Sequence, residues 1–267
     1  MGAVLTLNGA PANADDLRTI VANNYGHFTA LRVERGAVRG LDLHLQRLAQ
    51  ATRELFATDL DTTQVRSWLR AVVSGRDGEL AVRINVFSRR FDRAHPAAPV
   101  PADVMISVLE TPAARPAAPL RLKSFRYGRE LPHVKHVGTF PLFHFRSLAQ
   151  RAGFDDALFV GDDGRIAEAS VWNIGFFDGT RIVWPQAPQL DGISMRLLQS
   201  GAERMGVEQA VRAVALDELP AFRATFLTNA SLAVQPVCGV DALELTRDVE
   251  LEALLWRAFD SNAPHAI

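Results

Sequence analysis

A single cysteine, Cys238, stands in the 267 residues of the chain. An intramolecular disulfide framework is thereby excluded, and the expectation is a reducing, cytoplasmic setting. No apolar run approaches the roughly 20 residues that span a bilayer, and the first residues lack the basic start and apolar core of a secretory signal. Neither sign of charge is in excess: the formal net charge is −1 at pH 7, which offers no global field to nucleic acid or to an anionic membrane. The familiar phosphate-loop, nucleophile-elbow and dinucleotide-binding glycine motifs are absent. His133, His136 and His144 have no acidic or cysteine ligand at matching spacing, so no metal site is expected. Asp162-Asp163-Gly164 reads as a hairpin turn and not as a calcium loop. Lysine is nearly missing as well. Of the 29 basic residues, only Lys123 and Lys135 are lysines. Where arginine serves almost every positive charge, a retained lysine raises a chemical question, because a primary amine can form an imine and a guanidinium cannot.

What is present is the composition of a globular protein, 48% hydrophobic and 22% charged, enough for a sizeable core. Period-two alternation predicts strands over 4–7, 27–34, 80–88 and 103–109. Helical spacing predicts a helix over 42–56 and another to residue 73, capped by Thr62 or Thr63. Three prolines within 111–119 mark a linker. Beyond it, helices are expected over 140–152, 192–205 and 247–259. Hairpins are expected at Asp162–Gly164 and Asp178–Gly179, a strand over 209–214, and two short strands flanking Asn229. The fold class that follows is α/β (α+β) in two domains with a cleft between them. A small N-terminal domain covers 1–110, a linker 111–119, and a larger C-terminal domain 120–267 carries Lys135.

Lys135 lies in Leu131-Pro132-His133-Val134-Lys135-His136-Val137-Gly138, between valines at the end of an extended stretch before a helix. Partial desolvation there would make the amine more nucleophilic. Downstream come Asp155-Asp156-Ala157-Leu158-Phe159-Val160, then Asp163-Gly164-Arg165-Ile166-Ala167-Glu168-Ala169-Ser170-Val171-Trp172-Asn173. In the same order stand His44-Leu45-Gln46-Arg47-Leu48, Leu190-Asp191-Gly192-Ile193-Ser194 and Phe226-Leu227-Thr228-Asn229-Ala230-Ser231, the last followed by Gln235-Pro236-Val237. Gly26-His27-Phe28-Thr29-Ala30-Leu31-Arg32-Val33 supplies an early strand. Together these segments resemble the class-IV aminotransferases, the fold-type IV pyridoxal-phosphate enzymes. That family includes branched-chain and D-amino-acid aminotransferases and aminodeoxychorismate lyase. The likeness spans roughly residues 24 to 240.

The resemblance implies a two-domain enzyme whose active site lies between the domains, with pyridoxal 5′-phosphate carried by Lys135 as a Schiff base. Glu168 would sit at the ring nitrogen, with Asn173 nearby. Arg47, the turn Gly192, Ile193, Ser194, and the turn Asn229, Ala230, Ser231 would hold the cofactor phosphate. Thr29 and Arg89 stand where relatives meet the substrate. Small amino-acid and keto-acid substrates and a homodimer are implied too, with no nucleic-acid or membrane partner. Transamination is the first expectation. Aminodeoxychorismate-lyase-type elimination to 4-aminobenzoate and pyruvate is the alternative, and a cofactor-free binding relative is a third reading. Ala30 replaces a threonine implicated in lyase proton handling, whereas Asn229-Ala230 resembles the lyase's own turn. Met195 replaces an arginine common after the first phosphate turn.

Overall fold

The computed structural model describes residues 4–76, 78–110 and 118–267. Most of the expected 111–119 linker therefore lies outside the described residues. By internal contacts the chain divides into two compact units.

The first unit is built on antiparallel strands β1 (Val4–Leu7), β2 (Ala10–Pro11), β3 (His27–Glu34), β4 (Ala37–Arg39), β5 (Glu79–Phe87) and β6 (Asp103–Glu110). Their order across the sheet is β4-β3-β5-β6-β1-β2. Helices α1 (Ala14–Asn23), α2 (Leu41–Phe56) and α3 (Thr62–Val73) complete it. The period-two alternation makes the sheet two-faced. Leu31 and Val33 on β3, Val82, Ile84 and Val86 on β5, and Val104, Ile106 and Val108 on β6 form one core with Leu48, Phe56, Val65 and Leu69 of the helices. The opposite face carries Phe28 paired with Asn85, and Ala30 paired with Arg83. Asp61, rather than Thr62 or Thr63, caps α3 by accepting from the Gln64 N–H at 3.0 Å. Helix α1 is absent from the expectations. None of its residues is fully buried, but Leu17 and Ile20 pack partly buried against Leu7, Phe87 and Met105, and a capping box between Asn13 and Asp16 sets its start.

The second unit holds β7 (Leu120–Arg126), α4 (Phe140–Arg151), β8 (Asp156–Val160), β9 (Ile166–Ala169), β10 (Trp172–Phe177) and β11 (Ile182–Pro185). It continues with α5 (Ile193–Arg204), β12 (Gln209–Arg212), β13 (Ala224–Thr228), β14 (Gln235–Val240), β15 (Leu243–Glu244) and α6 (Val249–Asp260). The strands run in the order β12-β11-β10-β13-β14-β7-β8-β9, and β9 also pairs with β10. That second pairing closes a ring, which leaves none of the ring strands with an open edge. Leu122, Leu158, Ile174, Phe176, Leu227 and Val237 are buried together in this sheet's core. Helices α5 and α6 cover Trp184 and Phe226 on another side.

Two segments depart from the expected domain limits. Val134–Gly138, and Lys135 with it, group with the first unit. Lys135 O accepts from Phe28 N and Val137 N donates to Gly26 O, both at 2.9 Å. The last strand, β16 (Pro264–Ala266), likewise returns to pair with β4. Long-range backbone pairing, which local sequence does not report, assigns both.

The packing of α5 on α6 depends on one glycine. A methyl group at Gly201 would lie 1.9 Å from the Ala258 carbonyl oxygen, so the helices must move apart to admit it. Gly201→Ala is expected to lower stability in urea unfolding by about 1–3 kcal/mol. Gly128→Ala, where an added Cβ meets nothing within 4 Å, should change it by less than about 0.5 kcal/mol.

Candidate functional site

Lys135 belongs to the extended segment laid along the start of β3, and its Nζ lies 4.9 Å from the centre of the Phe28 ring. The Arg83 guanidinium covers the same ring at 3.5 Å. Amine and guanidinium are therefore separated by no more than those two distances together. Burial lowers the proton affinity of Arg83. Sequence reading missed Arg83; its parity on β5, opposite Ala30, was the available signal. The other lysine is accounted for differently. Lys123 Nζ donates to Asp241 at 2.8 Å in a cluster that also takes the Ser124 hydroxyl.

Arg89 is engaged by two carboxylates. Its backbone N–H and Nε donate to Asp103, and its Nη1 reaches Asp16 on α1. Two carboxylates engage its guanidinium and raise its pKa, so a substrate carboxylate would have to displace them. The structure makes Arg89 a tie between α1 and β6. Thr29 is likewise not positioned to meet substrate: it is fully buried on the core face. Its Oγ1 lies 2.7 Å from His44 Nδ1 and accepts from Arg47 Nη2. His27, two residues earlier on the same face, places Nε2 3.0 Å from Thr52 Oγ1. Strand β3 and helix α2 thus exchange two histidine–threonine bonds.

Both histidines are held neutral. Burial first, and then the charge of Arg47, pushes His27 down to about 3. Burial, followed by the positive charges of Arg47 and Lys135, holds His44 well below the usual histidine range. Arg47 and Lys135, singled out separately in the sequence, therefore both act on one buried imidazole.

In the second unit Glu168 on β9 pairs with Asn173 on β10, and Asn173 pairs with Thr228 on β13. Directly paired antiparallel residues share a face, so the three side chains form one row across three strands. Glu168 is 4% exposed and faces Arg129, also buried, at 3.6 Å between Oε1 and Nη1. Nearby Tyr127 has its pKa raised by burial and, less, by Glu168 and Glu130, against the opposing charge of Arg129. Thr228 Oγ1 is buried with no hydrogen-bond partner among the described residues. Arg129 and Thr228 were not assigned roles from sequence, because their partners come from distant strands.

The row also fixes the turn before α5. Leu190 N donates to Glu168 Oε2 at 3.3 Å, while Asn173 Nδ2 donates to Leu190 O at 2.6 Å and to Gln189 Oε1 at 3.0 Å. Gly192 is the N-cap of α5; a Cβ there would fall 1.9 Å from Asn173 Oδ1 and force that side chain to shift. Ile193 and Ser194 follow, buried, in the first turn, where helix N–H groups favour an anion. Asn173 is thus engaged in holding this turn. Asn229 serves similarly: its Oδ1 accepts from Ser231 N and Leu232 N at 2.9 Å, and its Nδ2 donates to Val171 O. Ala230, between Asn229 and Ser231, is half-buried at the turn itself.

Comparison with known proteins identifies the family. A profile described as amino-transferase class IV matches residues 26–240. A probable branched-chain-amino-acid aminotransferase of Rickettsia bellii is 26% identical over 146 residues, 52% of this chain and 50% of that protein. The aligned stretch thus takes in about half of that relative's length. Aminodeoxychorismate lyase of Bacillus subtilis is 21% identical over 239 residues, covering 81% and 78% of the two chains. Among solved structures, the PLP-bound form of a hypothetical aminotransferase from Mycobacterium tuberculosis superposes with a TM-score of 0.80. The identity is 21%, over 97% of this chain and 99% of that one. That likeness is one of fold.

The neutral histidines give a signed pH dependence. In the unfolded chain both titrate near 6.5, whereas in the folded chain His27 does so near 3 and His44 lower than usual. Between those limits the unfolded state binds the extra protons. Stability is therefore lost as pH falls from about 6.5 towards 3, by up to about 1.4 kcal/mol per pH unit per histidine. Urea midpoints measured through this range should fall less steeply for His27→Gln than for the wild type. The difference isolates the histidine from the carboxylates that titrate alongside it.

Proposed function

Because the chain belongs to the amino-transferase class IV family, we propose that it is a pyridoxal-phosphate-dependent aminotransferase. It would move an amino group between an amino acid or amine and a keto acid. The observation that carries this reading is the β9–β10–β13 row. It holds a carboxylate, Glu168, and the turn before α5 through the backbone N–H and C=O of one residue, Leu190. A carboxylate and a cluster of helix N–H groups suit a heterocycle with a protonated ring nitrogen and a phosphorylated arm. A buried threonine hydroxyl with an unused valence, Thr228, and a glycine whose Cβ would push Asn173 out of place, Gly192, fit the same group. The PLP-bound form of the Mycobacterium tuberculosis protein supports the choice of cofactor.

When bound, pyridoxal phosphate supplies an electron sink for the electrons left on the substrate α-carbon. Lys135 would supply the primary amine that holds the group and a base for the proton at that carbon. Glu168 would hold the ring nitrogen, and Arg129 beside it compensates its buried charge. Arg47, the N–H groups of Ile193 and Ser194, the Ser194 hydroxyl and the Asn229–Ser231 turn hold the phosphate. Arg83, stacked on Phe28 within reach of Lys135, replaces Arg89 as the guanidinium for the substrate carboxylate. A homodimer in the cytoplasm belongs to the same reading, and the exposed Phe140 and Phe143 on α4 are apolar surface of the kind that subunits cover.

The test is a panel of amino donors in both enantiomers, with several keto-acid acceptors. Wild-type protein should develop the absorbance of bound cofactor and exchange amino groups; Lys135→Ala should lose exchange by at least about 10³-fold. Absence of any cofactor absorbance after adding pyridoxal phosphate would sink the proposal. So would release of pyruvate from aminodeoxychorismate without an acceptor, which marks a lyase. For Arg83→Met, the KM of the donor should rise about 10- to 100-fold with kcat nearly unchanged, as expected when a charge-assisted ground-state contact is removed.

A further inference from the structure

The buried bonds around Arg47 have a definite direction. A guanidinium only donates, so Thr29 Oγ1 must accept from Arg47 Nη2. The threonine has one proton left to place, and the whole residue is closed to solvent. His44 Nδ1, 2.7 Å away, is the acceptor that satisfies it, which puts the imidazole proton on Nε2. If Nδ1 carried the proton instead, two donors would converge on one oxygen and the threonine proton would be left without this acceptor. Donation from a cation into Thr29 also polarises its O–H and strengthens the bond to His44.

The second histidine–threonine pair on α2 is built the other way round. Thr52 donates to Leu48 O at 2.9 Å, so its oxygen accepts from His27 Nε2–H. Both pairs fasten α2 to β3. Arg47 donates into the Thr29–His44 pair.

We propose that Thr29 and His44 are positioning residues that set the direction of the Arg47 guanidinium, so that its hold on a phosphate depends on a hydroxyl and an imidazole. The proposal rests on the reading of Arg47 as a phosphate-holding residue. It removes Thr29 from the substrate pocket and gives His44 of the His44-x-x-Arg47-Leu48 segment a task of its own.

The experiment compares the affinity of the full chain, stripped of cofactor, for pyridoxal phosphate and for pyridoxal, which lacks the phosphate. Thr29→Val should weaken pyridoxal phosphate binding on the order of 10- to 100-fold, the scale of one misdirected charge-assisted bond, with pyridoxal affinity nearly unchanged. Thr29→Ser should restore the wild-type ratio. Thr52→Val, which cuts the other pair, should lower thermal stability yet leave the ratio alone. Equal losses for both ligands in Thr29→Val, or no loss for either, would overturn the proposal. Arg47→Gln separates the two levels. If it leaves pyridoxal phosphate affinity intact, the phosphate role of Arg47 fails. If it weakens that affinity while Thr29→Val does not, the positioning role alone fails. Should Thr29→Val not fold, His44→Leu against His44→Asn makes the same comparison, because the asparagine oxygen replaces the Nδ1 acceptor.

Discussion

The pairing of β9 with β10 is the constraint on which the second unit depends. It consists of only two rungs, Ala169 with Trp172 and Glu168 with Asn173, yet it closes the ring of strands. The rung that completes the ring is also the one that sets Glu168 beside Asn173, with Thr228 next in the row. A slip of one residue would turn each of these side chains to the opposite face. The carboxylate would then leave Arg129, and Leu190 would lose both of its polar partners. Closure of the sheet and assembly of the candidate site are one event in this unit.

The first unit solves a different problem, because it must present cations without burying them unsolvated. Adjacent residues of β3 divide the work. Phe28 faces Lys135 and Arg83, and an aromatic face is favourable to both. Thr29 faces the core and engages Arg47 through a neutral hydroxyl. The charges that act on His44 are both positive, so the imidazole can stay in this core only as the neutral form. A carboxylate at position 29 would bind Arg47 more strongly, but it would compete with a phosphate for the same guanidinium. Threonine orients the arginine and leaves its charge in place.

Much of this was legible in the sequence. Apolar periodicity located α2, α3, α5 and α6 to within a residue or two, and the order of the short segments singled out Lys135, Glu168 and Arg47 as candidates. What was illegible depends on partners remote in the chain. β7 runs parallel to both β8 and β14, so no hairpin turn announces it. Arg89 and Arg83 look alike locally. Only Asp16 and Asp103, brought in by α1 and β6, show that the first is engaged and the second is the one on Phe28. Asn173 and Asn229 were read as cofactor contacts because an amide can serve a ligand or a turn equally well. The structure spends both on turns. A polar residue beside a ligand site and one that shapes it share the same local sequence.

The scarcity of lysine can now be separated into two cases. Lys123 makes a half-exposed ion pair with Asp241, a task that needs positive charge and short reach, and nothing around it requires an amine. Lys135 is placed differently. Its segment is drawn onto β3 by two backbone bonds and is anchored by the buried Val134. Its amine is held over an aromatic ring that an arginine already occupies. Adding a second guanidinium there would supply charge that the site already has. On the proposed reading, what the position would add is nucleophilicity: a primary amine able to form and release a covalent bond. Composition raised the question for both lysines, and their surroundings answer it differently.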